Sequence, residues 1–470
     1  MATFVGRARE LAELQVFLDR LTDSRAGDRP GKALLIRGRR RVGKSRLIEE
    51  FLERSGVPAV FYTASAQAPE RELNLFAEAV ASSNLPGADL FRDVTPQTWE
   101  AALRLFASAV PEGAPSVLVI DELPYLIATD PSLEGMLQKM FDRVISRRPV
   151  LMIGVGSDLS MMEVLNEYGR PFHQRASEMI VPALAPSETA LLLGLSAPEA
   201  LDAYLITGGL PLIADEWPTG MPMWDYLASA LSSSTSALVV SGERMLAAEF
   251  PDLTQARVVL TAIGSGETTF ANIAQRAGGL HSTALTRALT TLRDKRIVTM
   301  DQPLSTSHSK VPRYRVTDPY LRFWLAFIGP ALAEIERGAH ARVLARLKAS
   351  WPSWRGRAIE PVLRSGVARM GDSGPAGTTG VVGAYWTRTN NPEIDLVIAD
   401  TQPAKRLLGV GSIKWHETEP FGQADLAELI VHRSQLPGAE DSTSLIAISR
   451  TGVSVSGVTA VSPQDIIDAW

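Results

Sequence analysis

Apolar residues in the first third of the chain fall into two interleaved rhythms. Short, mostly apolar runs occur at Ala33-Leu34-Leu35-Ile36, Pro58-Ala59-Val60-Phe61-Tyr62, Val117-Leu118-Val119-Ile120 and Val150-Leu151-Met152-Ile153-Gly154-Val155. Runs of this length read as strands buried on both faces. Between them apolar positions recur at helical spacing, beginning with Leu11, Leu14, Phe17, Leu18 and Leu21 and continuing over residues 70–83, 98–110 and 133–146. Strands alternating with helices predict an open parallel sheet.

The rhythm then changes. Residues 186–231 are helical in pattern, with Ser196 and Glu199 at capping-box spacing and a break at Thr207-Gly208-Gly209-Leu210-Pro211. This stretch reads as a helical lid. Further on, helices are predicted over 255–263, 270–277 and 282–294, the last with Leu285, Leu289 and Leu292 inward. Strands follow at 297–300 and 313–316, around the polar loop 303–310. Helix-turn-helix followed by a hairpin is a winged helix. From residue 340 on, a helix over 354–370, a Gly-rich loop at 371–380 and strands at 381–386, 393–398 and 406–413 predict a further α/β unit. The expected boundaries are 1–183 for the sheet core, 184–249 for the lid, 250–335 for the winged helix and 336–470 for the tail. No internal repeat is visible.

Composition narrows the class. A chain of 470 residues is too long for one core, and 45% hydrophobic with 21% charged residues is ordinary for a folded protein. A net charge of −5 argues against a wholesale nucleic-acid coat and leaves room for local basic patches. Cysteine is absent, which excludes disulfides, thiolate zinc sites and a cysteine nucleophile. No apolar run is long enough to span a bilayer and no signal peptide is apparent, so the expectation is a cytoplasmic protein with no membrane partner.

The strongest local signal is Gly38-Arg39-Arg40-Arg41-Val42-Gly43-Lys44-Ser45, between a predicted strand and a predicted helix that starts near Arg46. G-x-x-x-x-G-K-[ST] in that context is the phosphate-binding loop. Its glycines let the backbone bend around a triphosphate, and the freed N–H groups and helix N-terminus face the anion. Lys44 reads as the cation for the β- and γ-phosphates, and Ser45 as a magnesium ligand; the residues from Gly38 through Arg46 are the candidate nucleotide contacts. ATP and Mg2+ are the cofactors this implies.

Asp121-Glu122 ends an apolar strand, where ligands of open parallel sheets bind. Asp121 reads as the second magnesium ligand and Glu122 as the group that orients and polarises the attacking water. Ser157, after the next strand, reads either as a contact to the γ-phosphate or the lytic water, or as a helix cap. Arg175, ahead of Arg170, is the candidate for stabilising γ-phosphate charge, in cis or across a subunit boundary. In the winged helix, Arg287, Arg293, Lys295, Arg296, Lys310 and Arg313 are available either for the phosphates of duplex DNA or as the solvated charges of a protein-docking domain.

Taken together, these residues carry a resemblance. Phe4-Val5-Gly6-Arg7, the loop 38–45, Asp121-Glu122-Leu123-Pro124-Tyr125, Gly156-Ser157, Ser160-Met161-Met162, Gly208-Gly209-Leu210-Pro211 and the exit 314–324 look like the AAA+-related archaeal ATPase family, close to the STAND signalling ATPases. The tail is similar to that family's C-terminal domain, a PD-(D/E)XK nuclease-like unit. The resemblance implies a P-loop NTPase parallel sheet core with helical lid, winged helix and a restriction-endonuclease-like α/β domain. It also places Glu360, Asp395 and Lys414 on the nuclease-like motif. The pattern wants an acidic residue two before the lysine, and Ser412 stands there; Glu393 is an imperfect substitute. The expected activity is therefore an ATPase switch with a degenerate tail. An ATP-gated nuclease and a nucleotide-bound scaffold remain as alternatives.

Overall fold

A computed structural model describes residues 4–22, 29–157, 162, 165, 170, 175–250, 255–307 and 311–470. The chain divides into two compact units, 1–183 and 184–470.

The first unit is built on strands β1 (Lys32–Arg37), β2 (Ala59–Thr63), β3 (Ser116–Asp121), β4 (Val150–Gly156) and β5 (Ala176–Ile180). They form one sheet in the order β2-β3-β4-β1-β5, with every pairing parallel. β1, β3 and β4 are buried along nearly their whole length, as their continuous apolar runs predict. β5 escapes the apolar pattern because it is an edge strand: in Ala-Ser-Glu-Met-Ile only Ala176 and Met179 are buried. On one side of the sheet, Tyr62, Phe76, Phe106 and Trp99 from the strands and the helices Pro69–Ala81 and Trp99–Ala109 form the aromatic heart of the core. Parallel strands bring the carboxyl ends of β1, β3 and β4 to one edge of the sheet, which is what positions the site described below.

The second unit opens with the helices Pro186–Leu193, Ala197–Thr207, Pro211–Ala214, Met223–Ser232 and Ala237–Glu249. Gly208 and Gly209 both take positive φ, and a Cβ on Gly209 would stand 2.1 Å from the Leu184 carbonyl, so no other residue fits that crossing. Helices Gln255–Gly264, Phe270–Arg276 and Ser282–Asp294 then lead to the antiparallel hairpin β6 (Val298–Asp301) and β7 (Arg313–Val316), the expected helix-turn-helix and wing.

The tail begins with a single helix, His340–Met370, of 31 residues. It runs through Pro352 and Pro361, two residues that normally end helices. Burial of Trp351, Ala358, Ile359, Val362, Leu363 and Val367 along its length outweighs them. Strands β8 (Val381–Trp386), β9 (Glu393–Ala399), β10 (Leu407–Lys414), β11 (Ser444–Ser449) and β12 (Thr459–Val461) pair in the order β12-β11-β10-β9-β8, antiparallel from β8 to β10 and parallel from β10 to β12. One core holds Leu396, Ile398, Ile446 and Ile448 against the long helix; a second holds Val397, Val410 and Ala447 with Leu426 and Leu429 of the helix Gln423–Gln435. Among the described residues no single helix is long and apolar enough to cross a membrane.

The expectation of a separate helical lid needs correcting. Ala200, Leu201 and Leu205 of the helix Ala197–Thr207 are members of the tail's first core. The same helix contributes Asp202 to a buried ionic network. Asp202 accepts from Arg355 Nη1 at 3.1 Å and from the Trp415 indole N–H at 2.8 Å, and Arg450 Nη2 lies 3.3 Å away. Arg355 also donates to the Trp415 carbonyl at 2.9 Å and bonds Glu417, whose other oxygen meets Arg450 at 3.0 Å. Arg355 is 2% exposed and Asp202 3%.

Breaking such a pair from one side leaves a charge buried alone. Arg355→Ala is expected to destabilise the protein by about 3–5 kcal/mol in urea unfolding followed by circular dichroism. Burial already pushes the Asp202 carboxyl above the usual range, against the pull of Arg355. Without Arg355, Asp202 keeps Arg450 and the Trp415 indole but loses one of its two cations, and protonation relieves the remaining imbalance, so the deficit of the variant shrinks as the pH falls.

Candidate nucleotide site and nuclease-like site

The chain leaves β1 at Arg37 and turns at Gly38, where a Cβ would stand 2.3 Å from the Val181 carbonyl. Arg41 and Gly43 take left-handed conformations, with φ of 68° and 84°, and the helix Lys44–Ser55 starts directly behind them. The loop therefore presents backbone N–H groups at a helix N-terminus, the arrangement that holds phosphate. Val42 is buried beneath it.

The side chains converge from three strand ends. Lys44 is buried and its Nζ donates to the carbonyls of Gly38, at 2.8 Å, and Arg39, at 3.0 Å. Burial lowers its affinity for the proton, while Glu122 and Asp121 pull the other way. Ser45 Oγ donates to Asp121 Oδ2 at 2.8 Å. Asp121 Oδ1 accepts from the backbone N–H of Glu122 at 3.0 Å. Glu122 itself is held at a φ of 54°, sparsely populated for a side chain of its kind. Ser157 Oγ lies 3.0 Å from each of its carboxylate oxygens. Lys44 with Ser45, Asp121 with Glu122, and Ser157 thus stand at the ends of β1, β3 and β4.

Two supporting residues lie outside what the motifs announce. Arg7 sits in a left-handed turn, 3% exposed, and its Nη2 donates to the carbonyls of Val42 at 2.8 Å and Pro182 at 2.6 Å. It pins the loop from behind, a role that Gly6-Arg7 in the opening motif hints at only through the glycine. Tyr125 meets Arg40 Nη2 at 2.5 Å through its hydroxyl.

Three assignments change. Arg46 lies on the outer face of its helix, where it pairs with Glu50 at 3.2 Å and Glu49 at 3.6 Å. Arg175 is engaged by Asp142, with Nε at 3.2 Å and 3.0 Å from its two oxygens, and Arg170 is engaged by Glu134. Both carboxylates belong to the helix Ser132–Arg143, which engages these arginines in this structure. Ser160 and Met161, with Asp158, lie outside the described residues; Met162 packs on Gly156.

In the tail, Glu360, Asp395 and Lys414 are electrostatic neighbours: beyond the effect of burial, Asp395 raises the Glu360 carboxyl and Lys414 pulls Asp395 the other way. Among the described residues, however, no hydrogen bond or ion pair joins them directly. Arg364 Nη1 bridges Glu360, 3.2 Å away, and the Asp395 carbonyl, 2.6 Å away. The Asp395 carboxylate turns toward β10, accepting from the Ile413 N–H at 2.9 Å and from Ser412 Oγ at 3.4 Å. Lys414 is drawn to Asp425 at 3.1 Å and Glu428 at 3.3 Å, which leaves it no bond to Asp395 or Glu360 among the described residues. Glu393, the imperfect substitute, pairs with Arg313 at 2.6 Å. Among the described residues no group of three or more His, Asp or Glu is placed to hold a metal ion.

The wing is also partly committed. Arg313 bonds Glu393 and Asn390 and lies 4.5 Å from the Trp386 ring centroid. Leu304 is buried in the tail's second core and its N–H donates to the Ala384 carbonyl on the edge strand β8. Lys295 pairs with Glu249. Lys310 lies outside the described residues. Of the cations named for phosphate contact, Arg287 and Arg293 on the helix Ser282–Asp294, and Arg296 just beyond it, are exposed.

With this geometry in place the comparisons fall into order. Residues 4–212 match the profile of an ATPase domain predominantly from Archaea. That segment is similar to ATPase domains of the archaeal type. Residues 324–425 match a family of archaeal and bacterial proteins of unknown function. An uncharacterized protein of Methanocaldococcus jannaschii is 24% identical over 450 residues, 95% of each chain, so the joining of the two segments is shared. Among solved structures, a Walker-type ATPase of Pyrococcus abyssi aligns with a TM-score of 0.48 and 18% identity over 68% of this chain and 96% of that one. The ORC2 protein of Aeropyrum pernix, solved in ADPNP and ADP complexes, aligns with a TM-score of 0.44 and 13% identity over 73% and 98%.

Burial pushes the Glu360 carboxyl up to about 7, with Arg364 pulling it back and Asp395 adding to the rise. The folded protein then holds this proton to a higher pH than the unfolded chain does. The stability so gained is complete below the unfolded value near 4.5 and is lost as the pH rises toward 7. Glu360→Gln is expected to flatten the stability profile between these limits, by on the order of 2–3 kcal/mol. Urea midpoints measured at pH 5 and pH 8 check this: an unchanged slope with pH removes Glu360 as its source.

Proposed function

We propose that the chain is an ATP-hydrolysing switch whose nucleotide state is passed to the helix-turn-helix and nuclease-like parts of its second unit. The observation that carries this is the meeting of Lys44, the Ser45–Asp121 pair and the Ser157–Glu122 pair at one edge of the sheet. A scaffold that only binds nucleotide has no need of Glu122 in that place.

The donor set fits a magnesium ion: a hydroxyl and a carboxylate oxygen 2.8 Å apart are the hard ligands such a cation takes, with waters and phosphate oxygens completing its shell. When bound, the ion supplies charge neutralisation to the β- and γ-phosphates. The remaining work falls to the chain. Lys44 exchanges the carbonyls of Gly38 and Arg39 for phosphate oxygens, and its burial strengthens that contact. The loop N–H groups orient the triphosphate. Glu122 holds the attacking water and receives its proton, and the Ser157 hydroxyl keeps the carboxylate aimed. Glu122→Gln should retain ATP affinity within about threefold and lower turnover by about a hundredfold or more. In the same assays Lys44→Ala should lose tight binding. Calorimetry and phosphate release decide it, and parental turnover in Glu122→Gln sinks the role of Glu122.

A second reading, contact with duplex DNA, is favoured by the exposed pair Arg287 and Arg293 on the second helix of the helix-turn-helix. Arg287→Glu with Arg293→Glu should weaken binding to a duplex at low salt and reduce the salt slope by about one to two units. Fluorescence anisotropy across a salt series measures both. A parent that does not bind decides for docking to protein.

A further inference from the structure

The second unit contains a cavity of about 190 Å³ between the helix Ala197–Thr207, the chain leaving β7 and the helix His340–Met370. Tyr204, Arg315, Arg322, Trp354, Ser365 and Trp470 line it. This is small against the ~300–1,000 Å³ of drug-sized pockets and suits an ion or a compact organic molecule.

Arg322 is the group that the fold itself leaves unanswered. The Arg322 side chain is half-buried, and its hydrogen bond among the described residues is a long one on the solvent side, 3.3 Å, to the Arg357 carbonyl. Its charge lies 6.0 Å from the Trp354 ring centroid. The neighbouring charges are mostly of its own sign: Arg315, Arg357 and Arg364, against one carboxylate, Glu360. Two of these are already matched, Arg315 by Asp301 at 2.6 Å and Arg364 by Glu360 at 3.2 Å. Arg322 is left with no carboxylate of its own. Burial and like charges pull its pKa below the usual arginine value, but a guanidinium stays charged at neutral pH.

Two more wall residues carry buried polar atoms with no hydrogen-bond partner: Thr317 at Oγ1 and Trp470 at Nε1. Orphaned polar groups beside a cation that lacks a counter-charge mark a place built for polar company. The rest of the wall, with Trp354, Leu205 and Val362, is apolar.

We propose that this cavity binds a small organic phosphate, its phosphate on the Arg322 fork and its flat or apolar part against Trp354. A dianion answers the surplus of positive charge better than a carboxylate, and a planar guanidinium pairs bidentately with phosphate oxygens. The cavity walls come from three segments far apart in sequence, so a ligand there ties the helix Ala197–Thr207 and the wing strand to the long helix. The inference does not depend on ATP hydrolysis, since no residue of the phosphate loop takes part.

The test uses the full chain, saturated with ADP and magnesium, and phenyl phosphate as the probe. Calorimetry should give a dissociation constant on the order of 1 mM or tighter. Arg322→Met should weaken it by about tenfold or more, and Arg322→Lys, which keeps the charge but loses the fork, should fall between. Because the guanidinium has no partner carboxylate, Arg322→Met should melt at or above the parental temperature without the probe. ADP affinity should be unchanged in both variants. Equal phenyl phosphate binding by the parent and Arg322→Met would overturn the proposal, as would no binding up to about 10 mM. A marked fall in the melting temperature of Arg322→Met makes Arg322 structural and overturns it too. Benzoate binding as tightly as phenyl phosphate overturns the assignment to phosphate.

Discussion

A buried ammonium must be satisfied, and the first unit is arranged around that requirement at Lys44. Its partners are the carbonyls of Gly38 and Arg39, which belong to the loop whose N–H groups face the opposite way. That division of backbone polarity is possible only with the bends at Gly38, Arg41 and Gly43. The bends in turn are held from behind by Arg7, which ties Val42 to Pro182. The strand order places β1 beside β4 and β4 beside β3, so Asp121, Glu122 and Ser157 arrive within hydrogen-bond reach of Ser45 or of one another. Change the order β3-β4-β1 and the pairs no longer meet.

The second unit is ruled by a different constraint. Segments that differ in pattern share cores and ionic contacts instead of standing as separate domains. Asp202 reaches Arg355, Trp415 and Arg450 across a long stretch of sequence, and Leu304 of the wing is buried among residues of the tail sheet. A charge buried among partners from several segments favours one arrangement, because any other leaves it uncompensated. The wing loop accordingly gives up Arg313 and Leu304 to internal contacts. What the unit offers outward is the exposed face of the helix Ser282–Asp294.

How legible each part was follows from how local its cause is. The buried strands, the phosphate loop and the helix-turn-helix were readable because apolar runs, glycine spacing and inward leucines are local signals. β5 was not, because an edge strand with one buried face resembles a polar loop. The long helix extends fourteen residues ahead of the predicted start at 354, through Pro352, because Leu347 and Trp351 are buried. β11, β12 and the helix Gln423–Gln435 passed unread, their pattern being too short or too polar. At the sites, residue types were legible and partners were not. Arg175 and Arg46 looked free, and their carboxylates, Asp142 and Glu50, become neighbours only through the fold or through helix phase. Arg364 carried no motif at all, yet it is the residue that decides the state of the tail.

That decision shows in a contrast between the chain's two acidic sites. At the nucleotide edge, Asp121 meets a hydroxyl and a backbone N–H, neutral donors that leave its charge available to a cation. In the tail the chain supplies cations of its own. Arg364 stands between Glu360 and the Asp395 backbone, and Lys414 has gone to Asp425 and Glu428. The Asp395 carboxylate, like Asp121, meets only a backbone N–H and a hydroxyl, so the contrast lies in the cations that hold its neighbours. A divalent ion entering there has to displace an internal guanidinium and then find a second and third oxygen ligand, while Ser412 provides only a hydroxyl. An aspartate at 412 would by itself not restore the site, since the arginine would remain. Arg364 and Lys414 with its two carboxylates thus take up the charges around Glu360 and Asp395, and Ser412 adds only a hydroxyl.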